Sequence, residues 1–255
     1  MAYVTESGVD LYYEDSGTGA DVVIFVPGFD GVGSFWDLQR AHFRSSHRVF
    51  TVDHRGIGSS GKTRSEYSIR QMASDVIAVM DHAGVLRATI VGHSTGGAIA
   101  QFIAAKWPER VLKLVLSSTW CRPGNYLRRV FEFRRSLLER DDVDGYHKAG
   151  IFFQYQPQVL EARDQLLESN QQLDVDNLIR RINAVLDSDI LTRSATIRAP
   201  TLIVATKDDR LVPQFLSDEV ARTIIGSNYT ILESGGHFHP KTEANQFNSA
   251  ISAFL

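Results

Sequence analysis

The chain has 255 residues, an apolar fraction of 43%, a formal net charge of −3 and a single cysteine. That balance supports an ordinary buried core and offers no basic field for nucleic acid or an anionic membrane. Cys121 alone cannot form an internal disulfide, and no run of eighteen apolar residues exists to span a bilayer.

The first residues, Met1 to Glu6, lack a basic stretch followed by an apolar one, so no secretory signal is expected and a cytoplasmic setting is. Residues 3–15 read as a β-hairpin around Ser7-Gly8. Val22 to Val26 is a continuous apolar run, as expected of a strand covered on both faces. A helix is expected from Ser34 to Phe43, and a strand from Arg48 to Val52. Ile69, Met72, Val76, Ile77, Val79 and Met80 recur at helical spacing, with Ser68 as N-cap and Gly84 as stop. Strands over Ala88–Val91 and Val111–Leu116 flank a small-residue helix that ends at Trp107-Pro108. The alternation predicts a parallel sheet.

Between residues 120 and 196 the strand signal disappears. Four helices are expected there, Tyr126 to Arg140, Asp144 to Gln154, Val159 to Asn170 and Asp176 to Leu186. Strands resume at Thr201–Thr206 and Tyr229–Leu232, and a last helix runs from Glu243 to Leu255.

Three strand ends carry chemistry. Gly92-His93-Ser94-Thr95-Gly96-Gly97 joins a strand to a helix, and G-x-S-x-G in that setting is a nucleophile elbow. Ser94 is the candidate nucleophile, because a hydroxyl held at such a turn is exposed and needs only a base. Lys207-Asp208-Asp209-Arg210-Leu211-Val212-Pro213 and Glu233-Ser234-Gly235-Gly236-His237 follow two later strands. His237 is the candidate base and Asp209 the candidate acid, in the chain order Ser…Asp…His; Asp208 is the adjacent alternative. His239 competes with His237, while His93 and His54 read as structural histidines. Nothing surrounds Cys121 that would make it a nucleophile. Gly56-Ile57-Gly58-Ser59-Ser60-Gly61 follows the second parallel strand and Lys62 lacks P-loop spacing, which argues against nucleotide binding.

On these motifs the chain resembles the α/β-hydrolase superfamily over almost its whole length. Val26-Pro27-Gly28-Phe29, Asp53-His54-Arg55-Gly56-Ile57-Gly58-Ser59-Ser60, Asp209-Arg210-Leu211-Val212-Pro213 and Gly235-Gly236-His237 carry the likeness along with the elbow. Pro27 stands where the family usually has His, and Thr206 where the acid turn often has Gly. The resemblance implies a mostly parallel eight-stranded sheet flanked by helices. It divides the chain into a core (1–119 and 197–255) and a helical cap (120–196) inserted after the sixth strand. It implies an oxyanion hole from the backbone N–H groups of Phe29 and Thr95; Pro27 has none to give. No cofactor and no metal are implied. The expected partner is a small-molecule substrate, with no nucleic acid or membrane, and the protein is expected to be a monomer or homodimer.

Cap arginines 122, 128, 129, 134, 135 and 140 lie mostly on a solvated face, with one or two able to reach a substrate carboxylate. Phe152, Phe153 and Arg181 are the candidate substrate-binding residues. Arg180-Arg181-Ile182-Asn183-Ala184 and the Asp-Asp-x-Leu-Val-Pro turn are similar to segments of the aminoacrylate/carbamate hydrolases of pyrimidine utilisation, with the 3-oxoadipate enol-lactonases next. The expected function is hydrolysis of a small ester, lactone, amide or carbamate through an acyl-enzyme on Ser94. Alternatives are a C–C bond hydrolase or a cofactor-free haloperoxidase- or perhydrolase-like esterase with the same triad. A triad-bearing ligand receptor is the alternative of another class.

Overall fold

The computed structural model describes residues 1–168 and 173–255. Eight strands form one sheet: β1 (Ala2–Glu6), β2 (Val9–Ser16), β3 (Val22–Val26), β4 (Arg48–Val52), β5 (Ala88–His93), β6 (Val111–Ser117), β7 (Thr201–Thr206) and β8 (Asn228–Leu232), in the order β1-β2-β4-β3-β5-β6-β7-β8. The hairpin β1–β2 turns at Ser7-Gly8 and pairs antiparallel with β4. Every other pairing is parallel. The continuous apolar runs are the interior strands, buried on both faces. Their side chains alternate between two cores: Val23, Phe25, Val49, Val91 and Val204 on one side of the sheet, Ile24, Val26, Phe50 and Ile90 on the other.

Helices α1 (Asp37–Phe43), α2 (Ile69–His82) and α3 (Thr95–Lys106) connect the first parallel strands. The expected helix from Ser34 starts as a 3-10 turn, Gly33–Trp36, before α1. Ser68 caps α2, its hydroxyl accepting from Gln71 N at 3.1 Å. From β3 the chain crosses to β4 on one side and later to β5 on the other. The order reverses there, so a crevice opens outside the carboxyl ends of β3 and β5.

Between β6 and β7 come α4 (Asn125–Leu138), α5 (Val143–Gln154), α6 (Pro157–Ala162), α7 (Val175–Leu186) and α8 (Leu191–Ser194). The third helix expected there, Val159 to Asn170, departs from the sequence reading. Pro157 starts α6 two residues earlier, Arg163 leaves helical geometry at φ −145°, and a 3-10 turn follows over Asp164–Leu167. Residues 169 and 170 of that expected helix lie outside the described residues. After β7 the chain adds α9 (Gln214–Thr223), α10 (His239–Thr242) and α11 (Ala244–Phe254). Among the described residues no helix is long and apolar enough to cross a membrane.

Candidate active site

Ser94 is the single residue between β5 and α3. Its backbone sits at φ 54° and ψ −121°, a region that costs a non-glycine residue roughly 1–3 kcal/mol. The neighbours hold it there: Ser94 N donates to Ser117 O at 2.8 Å, and Ser94 O accepts from Gly97 N at 2.9 Å and from Thr119 Oγ1 at 2.7 Å. The turn is tight enough that a Cβ on Gly96 would lie 2.2 Å from the Val26 carbonyl oxygen, so only glycine lets α3 approach β3 this closely.

His237 and Asp209 are both buried, and Nδ1 of His237 lies 2.8 Å from Oδ2 of Asp209. The other oxygen, Oδ1, accepts from the amides of Leu211 at 2.9 Å and Val212 at 2.8 Å. Asp208 turns elsewhere. Its carboxylate accepts from the amides of Gly236 at 2.9 Å and Gly235 at 3.3 Å and from the side chain of Gln156. Burial pushes its carboxyl up, but these hydrogen bonds outweigh burial and hold it below the usual carboxylate range. Of the two acids, only Asp209 meets the imidazole. The His237 amide donates to the Gln154 carbonyl at the end of α5, 3.0 Å away.

Ser94 and His237 line one cavity of about 90 Å³, together with Gly28, Phe29, Phe35 and Arg134. Thr95 follows Ser94 as the first residue of α3, whose free N–H groups and dipole favour negative charge at this end. No backbone carbonyl among the described residues accepts from the amides of Phe29 or Thr95. Arg134 is 2% exposed, and its Nε and Nη1 have no hydrogen-bond partner among the described residues. Its guanidinium carbon lies 4.6 Å from the ring centre of Tyr146 and 5.4 Å from that of Phe29. Asp30 and Lys241 line the cavity mouth and are exposed.

The three substrate-binding candidates fall elsewhere. Phe152 is 51% exposed and borders a shallow surface depression with Pro157 and Leu160. Phe153 packs partly buried against the core. Arg181 is buried behind the cavity, donating to the Phe29 carbonyl. Arg134 does line the cavity. Its signal was its position: with Leu127, Val130, Phe131 and Leu138 it lies on the buried stripe of α4.

The remaining histidines are enclosed. His93 Nδ1 lies 3.0 Å from Ser117 Oγ, which lies 3.0 Å from His239 Nε2. Burial holds His54 and His93 well below the ordinary histidine range and His239 down to about 4. Cys121 is buried, and burial with Glu219 nearby pushes its thiol up to about 11, the opposite of an activated thiolate. Among the described residues no group of three or more His, Cys, Asp or Glu side chains is placed to hold a metal ion.

The description of the alpha/beta hydrolase family matches residues 23–250. The chain belongs to that family. Relatives named RutD carbamate hydrolase are similar along the whole chain. That of Azorhizobium caulinodans is 34% identical over 260 residues, covering 100% of this chain and 98% of the relative. That of Caulobacter sp. (strain K31) is 34% identical over 255 residues, covering 96% and 95%. The enol-lactonase from Burkholderia xenovorans LB400 superimposes with a TM-score of 0.90 at 22% identity, covering 100% of this chain and 99% of that one, a likeness of fold. This member of the family is accordingly a hydrolase of small molecules.

Proposed function

We propose that this hydrolase cleaves a small carbamate or a related ester, lactone or amide through an acyl-enzyme on Ser94. The observation that carries the reading is the buried His237–Asp209 pair beside a strained Ser94 on the same cavity. Asp209 accepts a hydrogen bond from Nδ1–H, which keeps that proton on Nδ1 and leaves Nε2 of His237 as the base. As the Ser94 oxygen attacks the substrate carbonyl, its proton passes to Nε2. The amides of Phe29 and Thr95 take the oxyanion. The tetrahedral intermediate collapses to the acyl-enzyme, and the leaving group departs with the proton from His237. Water then repeats the sequence, with His237 as its base, and releases the acid.

Residues 120–196 act as a cap over the strand ends that carry these groups. The cavity of about 90 Å³ suits a small substrate. Arg134, buried in its wall without a carboxylate partner among the described residues, suits one that carries a carboxylate away from the scissile bond. The names of the similar RutD relatives point to a carbamate.

The test is labelling with a small p-nitrophenyl phosphonate and mapping of the adduct by mass spectrometry. Ser94 takes the label, and Ser94→Ala loses roughly 10⁴- to 10⁶-fold in turnover of p-nitrophenyl acetate while remaining folded. A label on another residue, or a variant that keeps a tenth of the activity, overturns the assignment.

A further inference from the structure

The loop after β3 is fixed by a residue that sequence reading placed in the substrate pocket. Arg181, on α7, is 3% exposed. Its Nη2 donates to the carbonyl of Phe29 and lies 3.2 Å from Nδ1 of His54. Nε and Nη1 have no partner among the described residues, so the guanidinium's hydrogen bonding there is confined to Nη2, shared between this loop and His54. A cation kept out of water is costly unless it is paired and hydrogen-bonded, and Arg181 has no carboxylate partner among the described residues.

The backbone explains the arrangement. The peptide unit joining Gly28 to Phe29 carries the Phe29 N–H. Its carbonyl accepts from Gly31 N at 3.1 Å, and because a trans peptide is planar the N–H points the opposite way. The following peptide unit is held through its own carbonyl, by Arg181. The planes on both sides of the Phe29 Cα are therefore tied, which fixes its two backbone dihedrals. Gly31 O is held in turn by His54 N at 2.7 Å. Gly31 itself has φ +75°, and a Cβ there would lie 2.9 Å from Arg181 Nη2, so glycine makes room for the guanidinium. The Phe29 ring is held as well, with the guanidinium carbons of Arg134 and Arg181 each 5.4 Å from its centre.

We propose that Arg181 is a positioning residue for the oxyanion loop. By holding the Phe29 carbonyl it aims the Phe29 N–H at the charge that develops on the substrate. A helix between β6 and β7 then contributes to rate as well as to selectivity. The proposal rests on Ser94 being the nucleophile.

The test compares the full-length wild type with Arg181→Met and Arg181→Lys. Turnover is measured on p-nitrophenyl acetate and a longer ester, with inhibition by a small alkylboronic acid, which forms a tetrahedral adduct, and by the carboxylate product. Complete loss of an oxyanion donor costs roughly 10²- to 10³-fold in kcat, so misaiming one costs about 10- to 100-fold. Arg181→Met lowers kcat by that factor on both esters and leaves KM within about threefold. It weakens the boronic acid by the same factor and the product by much less. Lysine, which can reach one of the two acceptors, recovers part of the loss.

A raised KM at unchanged kcat would make Arg181 a substrate-binding residue and overturn the proposal. Equal losses of boronic acid and product affinity would overturn it too, as a general collapse of the site. Should the methionine variant fail to fold, wild-type protein labelled with ¹⁵N decides: the Phe29 amide resonance moves when the boronic acid binds, and a stationary resonance ends the idea. If the wild type neither hydrolyses esters nor binds the boronic acid, the reading of Ser94 is what fails; if it does both and the variants match it, only the role of Arg181 does.

Discussion

Asp209 approaches His237 with one carboxylate oxygen, 2.8 Å from Nδ1, while the amides of Leu211 and Val212 hold the other. A carboxylate tied in this way cannot turn aside. Asp209→Asn keeps the shape but puts an amide against an imidazole N–H, which favours the wrong tautomer and costs roughly 10⁴-fold in kcat. Asp208→Asn disturbs the amides of Gly235 and Gly236 and the side chain of Gln156, none of which touches the substrate's reacting atoms, and costs far less. Steady-state turnover of the two variants on one activated ester decides, and a larger loss at Asp208 would contradict the pairing.

The backbone at Ser94 makes a second prediction. Alanine at φ 54° keeps the strain, whereas glycine relieves it. Ser94→Gly is therefore more stable than Ser94→Ala by about 1 kcal/mol, or about 2–4 °C in melting temperature for a chain of this size, with both inactive. Parallel melting curves check it; equal melting temperatures would mean the turn carries no strain.

Stability responds to acid through three enclosed imidazoles. In the unfolded chain His54, His93 and His239 take up protons near pH 6.5. In the folded protein burial keeps all three neutral to well below that, to about 4 for His239. The unfolded state thus binds more protons throughout this window. Stability is full above about pH 6.5 and is lost as the pH falls toward 4, by up to ~1.4 kcal/mol per pH unit for each group. Melting temperatures measured from pH 8 to 4 fall along that course, and His239→Asn makes the decline shallower. A flat profile between pH 7 and 5 would refute it.

Arg134 sets the expected substrate preference. Against a pair of esters alike except for a terminal carboxylate, Arg134→Gln reduces the preference for the charged one by roughly 30-fold or more, the effect of removing one partner of a buried charge pair. Arg129→Gln, on a side chain 84% exposed, leaves the preference as it was. A wild-type enzyme indifferent to the carboxylate would remove the argument for an anionic substrate.

The sheet and the candidate triad could be read from the chain because each demands residue types at fixed places. Interior strands need unbroken apolar runs such as Val22–Val26, and the elbow needs small residues around Ser94. The sequence favours Asp209 over Asp208 without closing the choice; in three dimensions a turn sends the adjacent carboxylates to different partners. The residues between β6 and β7 were harder. Phe152 and Phe153 are aromatic, but aromatic character does not say which face of α5 they occupy, and the structure sends Phe152 to solvent. Arg134 and Arg181 lie among the buried positions of α4 and α7, an apolar spacing that reading the arginines by composition passed over. The break after α6 comes from the backbone at Arg163, which periodicity does not register.

The hydrogen bond from the His237 amide to the Gln154 carbonyl joins the loop of the candidate base to the end of α5. A transplant of residues 120–196 from another hydrolase would bring its own α5 terminus, and with it a new resting place for His237. Chimeras of this scaffold will therefore inherit a shifted imidazole along with a new specificity unless the donor segment ends its equivalent helix at the same height above β8.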